Sequence, residues 1–223
     1  LFTDYGGSSI TEITIPEGIT SIDAGTFSKC TSLKTVHYNA PSCTIGMDAF
    51  SGCSSLQTVT FGEGVTTVPA NLFTGNGAIK SVTLPDTVTA IESFAFSDCS
   101  ALVTINVPDT LASVAAGSLS GSKWFELQEN GEVYLGKVFY EYKGASAGGS
   151  VTLRDDTYAI ADSAFAGKAL AKIFVPTSVH AIGADAFKNT GATIECYASA
   201  LDVITYANAN GLPLNILTCD DDD

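Results

Sequence analysis

The chain has 223 residues, of which 45% are hydrophobic and 15% charged, and a formal net charge of −14. This composition supports a folded core and argues against disorder, and the few lysines and arginines argue against binding to a nucleic-acid backbone. No apolar run approaches the roughly 18 residues of a membrane span, so membrane insertion is not expected either.

A 23-residue pattern repeats along the chain, and its least modified copy is IKSVTLPDTVTAIESFAFSDCSA at residues 79–101. One position of this pattern is aromatic or aliphatic in seven copies: Phe27, Phe50, Phe73, Phe96, Leu119, Phe165 and Phe187. A period of 20 to 50 residues is typical of a solenoid, in which stacked neighbours complete the core of each unit. The pattern therefore predicts one elongated solenoid domain over residues 1–223.

In chain order, the pattern predicts five repeats, a replaced unit, two more repeats and a cap. The boundaries are 10–32, 33–55, 56–78, 79–101 and 102–124, then 125–147, then 148–169 and 170–192, then 193–217. An acidic tail follows at 218–223. We interpret that tail as solvated, because a terminal run has no scaffold to bring the six to eight oxygens of a calcium site together.

The replaced unit concentrates aromatic residues. Asn130-Gly131 and the strand pattern from Val133 to Tyr142 predict hairpins or short ribbons that leave the stack. Its aromatic residues, counted from the preceding position, are Trp124, Phe125, Tyr134, Phe139, Tyr140 and Tyr142. They could form a protruding binding segment or cover the core where the ladder is altered, since aromatic pairs commonly stabilise sheet ribbons.

The cap departs from the repeat. A strand is predicted at 193–197, then a helix over 200–209 with Ser199 as its N-cap, then a closing strand at 212–216 in which Pro213 suits an edge. The apolar face of the helix is predicted to hold Leu201, Ile204 and Ala207. Such a cap is physically required, because the open end of a stack exposes strand edges and core.

Three of the six cysteines, Cys30, Cys53 and Cys99, share one position of the repeat. Other copies place Asn76, Ser122, Lys168 and Thr190 there. A position shared by Cys, Asn, Ser and Thr predicts a small, buried, hydrogen-bonding turn site with free thiols. A Cys30–Cys53 disulfide is the alternative, although parallel side chains of stacked units fit its dihedral angle poorly. A zinc site is weaker still, because no CxxC or nearby histidine completes it.

No catalytic, cofactor-binding or metal-binding residues are predicted. The two histidines, His37 and His180, lie at different positions of distant repeats and so are not expected to share a Ser/His/Asp or metal site. The adjacent acids Asp155 and Asp156 fall in a turn, where solvation explains them. No phosphate-binding glycine motif is present.

The strands of the repeats predict two outward columns of side chains on a face about 35 Å long. Candidate partner-binding residues on this face are Thr35, His37, Asn39, Thr58, Thr60, Ser81, Thr83, Thr104, Asn106, Lys172 and Phe174. The plainer interpretation is that threonine fits an exposed pleated surface. Ice binding is a third possibility, which the interruptions at His37 and Phe174 disfavour.

Residues 79–101 (IxxVxLPDTVTAIxxFAFxxC) and 170–187 (LAKIFVPTSVHAIGADAF) resemble the bacterial surface leucine-rich repeat family typified by BspA. The resemblance extends to GEVYLGKVFYEYKG at 131–144 and to the terminus at 197–217. It implies a right-handed repeat superhelix with a parallel sheet on one face. It also implies export to a bacterial surface and adhesion to macromolecules, and it brings no catalytic residues.

From the residues and the resemblance together, we expect a non-enzymatic, monomeric binding or adhesion module. Its partner would be a protein or glycan on a host or bacterial surface, with no cofactor, nucleic acid or membrane insertion. The alternative is a structural spacer of a larger surface protein. The sequence shows no signal peptide or anchor and does not begin with methionine, so we expect a mature protein or a trimmed piece of one.

Overall fold

The computed structural model describes residues 9–41, 43–146 and 148–218. The chain divides into two compact units, Leu1–Leu111 with Ala115–Gln128, and Ala112–Val114 with Glu129–Asp223. Both are built from parallel β-solenoid turns, which confirms the predicted fold class. The predicted acidic tail lies outside the described residues except for residue 218. The predicted extent of one domain over 1–223 stays a prediction.

Each regular turn contributes one longer and one two-residue strand. In the first unit the strands are β1 (Glu12–Ile15), β2 (Ser21–Ile22), β3 (Thr35–Tyr38), β4 (Thr44–Ile45), β5 (Thr58–Phe61), β6 (Thr67–Val68), β7 (Ser81–Thr83), β8 (Ala90–Ile91) and β9 (Thr104–Asn106), followed by the short helix α1 (Lys123–Glu126). The second unit contains β10 (Ser113–Val114), β11 (Gly131–Leu135), β12 (Val138–Lys143), β13 (Ser150–Thr152), β14 (Ala159–Ile160), β15 (Lys172–Phe174), β16 (Ala181–Ile182), β17 (Thr193–Tyr197), α2 (Leu201–Ala209) and β18 (Leu214–Leu217).

In the first unit the longer strands pair in parallel at an offset of one repeat. Val36 lies opposite Val59 in the β3–β5 ladder, and Val82 lies opposite Ile105 in the β7–β9 ladder. The side chains alternate in exposure, because successive residues of a strand point to opposite faces of its sheet. Val36, Val59, Val82 and Ile105 are all buried. The predicted alternation of inward and outward side chains along the strands is therefore confirmed.

A ladder of aromatic rings runs through the core of the first unit. Phe27 stacks on Phe50 with 4.9 Å between ring centroids, and Phe73 stacks on Phe96 at 6.1 Å. Phe50, Phe73 and Phe96 have at most 1% of their surface exposed. Such rings each bury a large apolar area, and no single turn could bury them alone. The predicted core position is thus confirmed.

Each turn of the first unit has two residues in the left-handed backbone region. The first position holds Gly25, Asp48, Asn71, Phe94 and Gly117, and the second holds Lys29, Gly52, Gly75, Asp98 and Gly121. Glycine, asparagine and aspartate are the residues that tolerate this conformation best. Phe94, at φ 58°, is the bulky exception among the residues of this position.

In the second unit the replaced segment stays in the solenoid, which corrects the prediction that it leaves the stack. β11 and β12 form an antiparallel hairpin, and β12 then pairs in parallel with β14, Phe139 lying opposite Ile160. The turn falls at Gly136-Lys137 rather than at Asn130-Gly131, and Gly136 has a positive φ as a tight turn requires. The predicted strand from Val133 to Tyr142 is therefore two strands.

The hairpin also restores the aromatic ladder of the second unit. Phe139 stacks on Phe165 with centroids 4.4 Å apart and planes 12° apart, and Phe165 stacks on Phe187 at 5.3 Å. Phe139 and Phe165 are fully buried. The chain thus replaces a repeat and keeps the core continuous within this unit.

The predicted strand, helix and strand of the cap are present as β17, α2 and β18, and β18 is the last strand of its sheet. Two details of the prediction were wrong. The helix begins after Ala200, which makes no side-chain capping bond, rather than after Ser199. Its buried face holds Val203 and Ala207, whereas Leu201 is 69% exposed. In the part of the chain that the structure describes, no helix has the length and apolar character to cross a membrane.

Candidate functional site: the exposed strand face

The outward residues of the longer strands form the candidate site, which we call the strand face. In the first unit its central members, Thr58, Thr60, Ser81, Thr83, Thr104 and Asn106, are all exposed, whereas Thr35, His37 and Asn39 are half-buried. The alternation with buried valine and isoleucine holds each side chain at a fixed height on a rigid sheet. The structure therefore brings the predicted residues of this unit onto one surface.

His37 links three neighbouring strands of this face. Its Nδ1 lies 2.7 Å from the Thr60 hydroxyl, and its Nε2 lies 3.4 Å from a carboxylate oxygen of Glu12. An acid, an imidazole and a hydroxyl in this order also occur in nucleophilic catalysis. Here, however, the Glu12 side chain is 63% exposed, so water competes for these bonds and weakens the electrostatic stabilisation that catalysis needs. The arrangement instead fixes the position of Thr60.

Two asparagines act in the same lateral way. Asn106 Nδ2 donates a hydrogen bond to the Thr83 hydroxyl at 3.2 Å, one repeat earlier. Asn39 lies over Gly62 so closely that a Cβ there would come within 2.7 Å of its amide oxygen. The residues that depart from threonine in the columns therefore brace their neighbours.

The sheet of the face is interrupted between β5 and β7. Among the described residues, the longer strands of the first unit form the ladders β1-β3-β5 and β7-β9, without pairing of β5 to β7. In the two preceding turns, Asn39 N donates to Ile15 O and Gly62 N donates to Tyr38 O, both at 2.9 Å. The corresponding position in the next turn is Pro85, which has no N–H to donate.

The interruption opens a groove on the strand face, with a volume of about 380 Å³. Its polar walls come from Thr58 and Thr60 on one side and from Ser81 and Thr83 on the other, with Glu63 at its margin. Phe61, Leu84 and Pro85 supply apolar surface. Glu63 and Pro85 were not among the predicted site residues. The repeated proline was visible in the sequence, but it does not interrupt the ladder by itself, because β9 is followed by Pro108 and still pairs with β7.

A second interruption separates β4 from β6 on the short-strand side of the first unit, again among the described residues. The cavity there, about 280 Å³, is lined by Cys43, Thr67 and Glu92 among others. The Glu92 carboxylate is already engaged, since it accepts a hydrogen bond from Ala70 N at 2.9 Å. This cavity lies off the strand face.

In the second unit the strand face is charged and aromatic. Lys172 Nζ lies 2.8 Å from Glu195 Oε1, which also accepts a hydrogen bond from Asn215 at 3.0 Å. These hydrogen bonds, with that of Lys172 foremost, hold the pKa of Glu195 below its usual range. Phe174 meets Tyr197 edge to face, with 5.5 Å between ring centroids. Sequence reasoning named Lys172 and Phe174 and missed Glu195, Tyr197 and Asn215, although their alternation along strands was visible.

Every residue of the predicted aromatic segment is buried or half-buried. Tyr140 is buried at 4% exposure, which corrects its assignment to a protruding segment. Tyr142 is half-buried and stacks on Phe165 at 6.4 Å. Tyr134 accepts a hydrogen bond from Arg154 N and lies 3.9 Å beneath the Arg154 guanidinium, and its burial raises its pKa. Trp124 and Phe125 are half-buried. The alternative interpretation, that these rings cover the core, agrees with these positions.

The described cysteines, Cys30, Cys43, Cys53, Cys99 and Cys196, are buried free thiols. The thiols of Cys53 and Cys99 donate hydrogen bonds to the carbonyl oxygens of Phe27 and Phe73, at 3.2 and 3.3 Å. The Asn76 amide also donates to Phe73 O. The predicted small, hydrogen-bonding turn site is thus confirmed. Within the described residues, no three His, Cys, Asp or Glu side chains converge as metal ligands would.

A family model described as the BspA type leucine-rich repeat region matches the chain in six copies, over residues 3–127 and 136–208. The chain belongs to this family. The BspA-type repeats thus account for most of both units, and the gap between the matched segments contains β11 of the hairpin. None of the curated proteins compared with the chain matches it.

The solved structures similar to this chain include bacterial leucine-rich repeat proteins, at TM-scores below 0.5. A leucine-rich repeat protein from Bacteroides ovatus is 18% identical with a TM-score of 0.41 over 95% of this chain. A leucine rich cell surface protein from Faecalibacterium prausnitzii is 19% identical with a TM-score of 0.40, over 95% of this chain and 80% of its own length. The pneumococcal vaccine antigen PcpA is 13% identical with a TM-score of 0.34, over 93% and 79%. This chain spans 62% of the length of the Bacteroides ovatus protein.

Proposed function

We propose that the chain is a non-enzymatic recognition module of a bacterial surface protein, and that the strand face contacts a protein or glycan. The observation that carries the proposal is the lateral bracing of this face, in which His37 holds Thr60 and Asn106 holds Thr83. A surface whose side chains are already ordered loses less conformational entropy when a partner binds.

Membership of the BspA-type family supports export to a bacterial surface, and the similar Faecalibacterium prausnitzii protein is a cell surface protein. The net charge of −14 opposes binding to nucleic acid, and the proposal includes neither membrane insertion nor a cofactor. We propose a monomeric module, because its recognition surface is a repeated sheet face that needs no second copy to be complete.

The test is a binding screen of the full chain against extracellular-matrix proteins and surface glycans. A variant carrying Thr58→Lys and Ser81→Lys on the strand face is compared with one carrying Thr20→Lys and Thr89→Lys, which are exposed residues preceding short strands of the same unit. Both variants add the same charge to exposed threonine or serine positions. We expect the face variant to lose binding at least tenfold and the control to retain it.

Two outcomes would contradict the proposal. Binding that survives the face variant would place the recognition surface elsewhere. Absence of binding to every protein and glycan in the screen would favour the alternative, a structural spacer within a larger surface protein. The plain fit of threonine to an exposed pleated surface is what that alternative predicts.

A further inference from the structure

The groove between β5 and β7 distinguishes one part of the strand face from the rest. It coincides with the interruption of the ladder, so the backbone N–H and C=O groups that would pair two regular strands are not paired with each other there. Buried or half-buried backbone groups are normally hydrogen-bonded, and those at an interruption remain free to bond a ligand or water. The volume of about 380 Å³ falls within the usual range of small-ligand sites.

The groove is too narrow to admit a peptide strand. Several Cα atoms of β5 and β7 lie within 8 Å of each other. A third strand inserted between them would require about 9.5 Å, twice the usual spacing of paired strands. Extension of the sheet by an added peptide is therefore excluded at this position, so a ligand would lie on the outward side of the two strands.

The two hydroxyls at the centre of the groove walls are fixed from outside the groove. Asn106 donates to the Thr83 oxygen, which leaves the Thr83 hydroxyl hydrogen free to donate elsewhere. On the opposite wall, His37 holds the Thr60 hydroxyl at 2.7 Å. Thr58 and Ser81 add two more hydroxyls, which both donate and accept.

The charge and the apolar surface of the groove further restrict the class of ligand that it could bind. Glu63 is the charged residue among those that line the groove, and its carboxylate accepts hydrogen bonds and repels anions. Phe61 and Pro85 offer apolar surface to C–H groups beside the hydroxyls. Aromatic and arginine side chains contribute most of the binding energy at protein interfaces. Among the residues that line the groove, Phe61 alone is of these types, and it is half-buried. A neutral molecule with many hydroxyls on a C–H framework matches these features.

We propose that the groove between β5 and β7 binds a neutral oligosaccharide segment, whose hydroxyls bond to Thr60, Thr83 and Glu63. This inference rests on the proposed role of the strand face in recognition. It narrows that role to one ligand class and to one place on the face.

The test begins with the labelled full chain on an array of neutral, sialylated and sulfated glycans. The best neutral glycan is then titrated into 15N-labelled chain, with amide chemical shifts as the readout. We expect shift changes at β5, β7 and Gly62-Glu63. The double variant Thr60→Val with Thr83→Val should weaken binding by about tenfold, since it removes two hydrogen-bonding hydroxyls at nearly constant volume. The matched control is Thr20→Val with Thr89→Val, two exposed threonines that precede short strands and lie off the strand face.

Each other outcome overturns the inference. Binding of only sialylated or sulfated glycans would contradict the neutral ligand class. Equal loss in the groove and control variants would contradict the location. If the array returns no neutral glycan while the protein screen finds a partner that depends on the strand face, the glycan inference fails and the proposed function stands. If nothing binds in either experiment, the proposed function fails with it.

Discussion

Phe139 of the hairpin stacks face to face on Phe165, with ring centroids 4.4 Å apart. Both rings are fully buried, so the segment that breaks the sequence repeat contributes to the core of the second unit. Through Phe165, the contact continues to Phe187 at 5.3 Å.

Replacement of Phe139 by alanine should therefore lower the free energy of unfolding by about 3–5 kcal/mol, the usual cost of a buried phenylalanine. Chemical denaturation followed by circular dichroism measures the change. Phe96→Ala, in the ladder of the first unit, should cost about the same. Tyr158→Ala, at a ring that is 39% exposed, is the control and should cost clearly less. A small effect for Phe139→Ala would mean that the hairpin lies outside the core.

Phe94 tests the backbone of the tight turns. Its φ is 58° and its ring is 48% exposed, lying where a Cβ at Gly117 would come within 2.7 Å of Cε1. Phe94→Gly and Phe94→Ala both remove the ring, but only glycine adopts a positive φ without strain. The glycine variant should be more stable by about 1–2 kcal/mol, measured by thermal unfolding.

The same pair at Ser93, which is outside the left-handed region, is the control for Phe94. There the order should reverse, because glycine increases the conformational entropy of the unfolded chain. Equal stability of the two Phe94 variants would show that this turn relaxes to another backbone conformation.

The buried thiols predict a loss of stability at high pH. Burial raises the pKa of Cys99 to about 12 and that of Cys53 to about 11, against an ordinary value of 9.0. Above pH 9 the unfolded chain releases these thiol protons while the folded chain keeps them. The free energy of unfolding should therefore fall from pH 9 towards pH 11–12, and this contribution is complete below pH 9.

Urea unfolding at pH 8, 9, 10 and 11 measures that slope. In the Cys99→Ser variant the slope should be shallower, because serine does not titrate in this range yet can donate the same hydrogen bond to Phe73 O. Ionisation of the buried tyrosines also makes the free energy of unfolding depend on pH, but equally in the original chain and in the Cys99→Ser variant. An identical pH dependence in the two proteins would show that the Cys99 thiol ionises as easily folded as unfolded.

A pair of aliphatic residues tests the buried face of the C-terminal helix. Val203 is 1% exposed and Leu201 is 69% exposed. Val203→Ala should lower the free energy of unfolding by roughly 1.5–2 kcal/mol, at about 0.8 kcal/mol per buried methylene. Leu201→Ala should change it by less than about 0.5 kcal/mol. A larger loss of stability for Leu201→Ala than for Val203→Ala would show that the helix buries the face predicted from the sequence.

Local patterns in the sequence were enough to place the strands and the core. Val36 and Val59 lie one period apart and face each other in adjacent strands, as their spacing predicts. The solenoid follows from this because each turn repeats the same short-range pattern, and stacking identical turns buries identical positions.

The hairpin and the cap helix show where such patterns fail. The alternation from Val133 to Tyr142 fits one long strand as well as two paired strands, and the tight turn at Gly136 decides between them. In the helix, both Leu201 and Val203 fit an apolar spacing. Only the packing of α2 against its neighbours selects Val203.

The sequence by itself thus determined the repeat, the inward and outward residues and the family, because these depend on side chains a fixed number of positions apart. The tertiary structure alone decided the lateral relations on the strand face. It shows His37 bonded to Thr60, Asn106 bonded to Thr83 and the ladder interrupted before Pro85. The physical reason is that a hydrogen bond between strands depends on the donors and acceptors of both strands at once, which no single repeat contains.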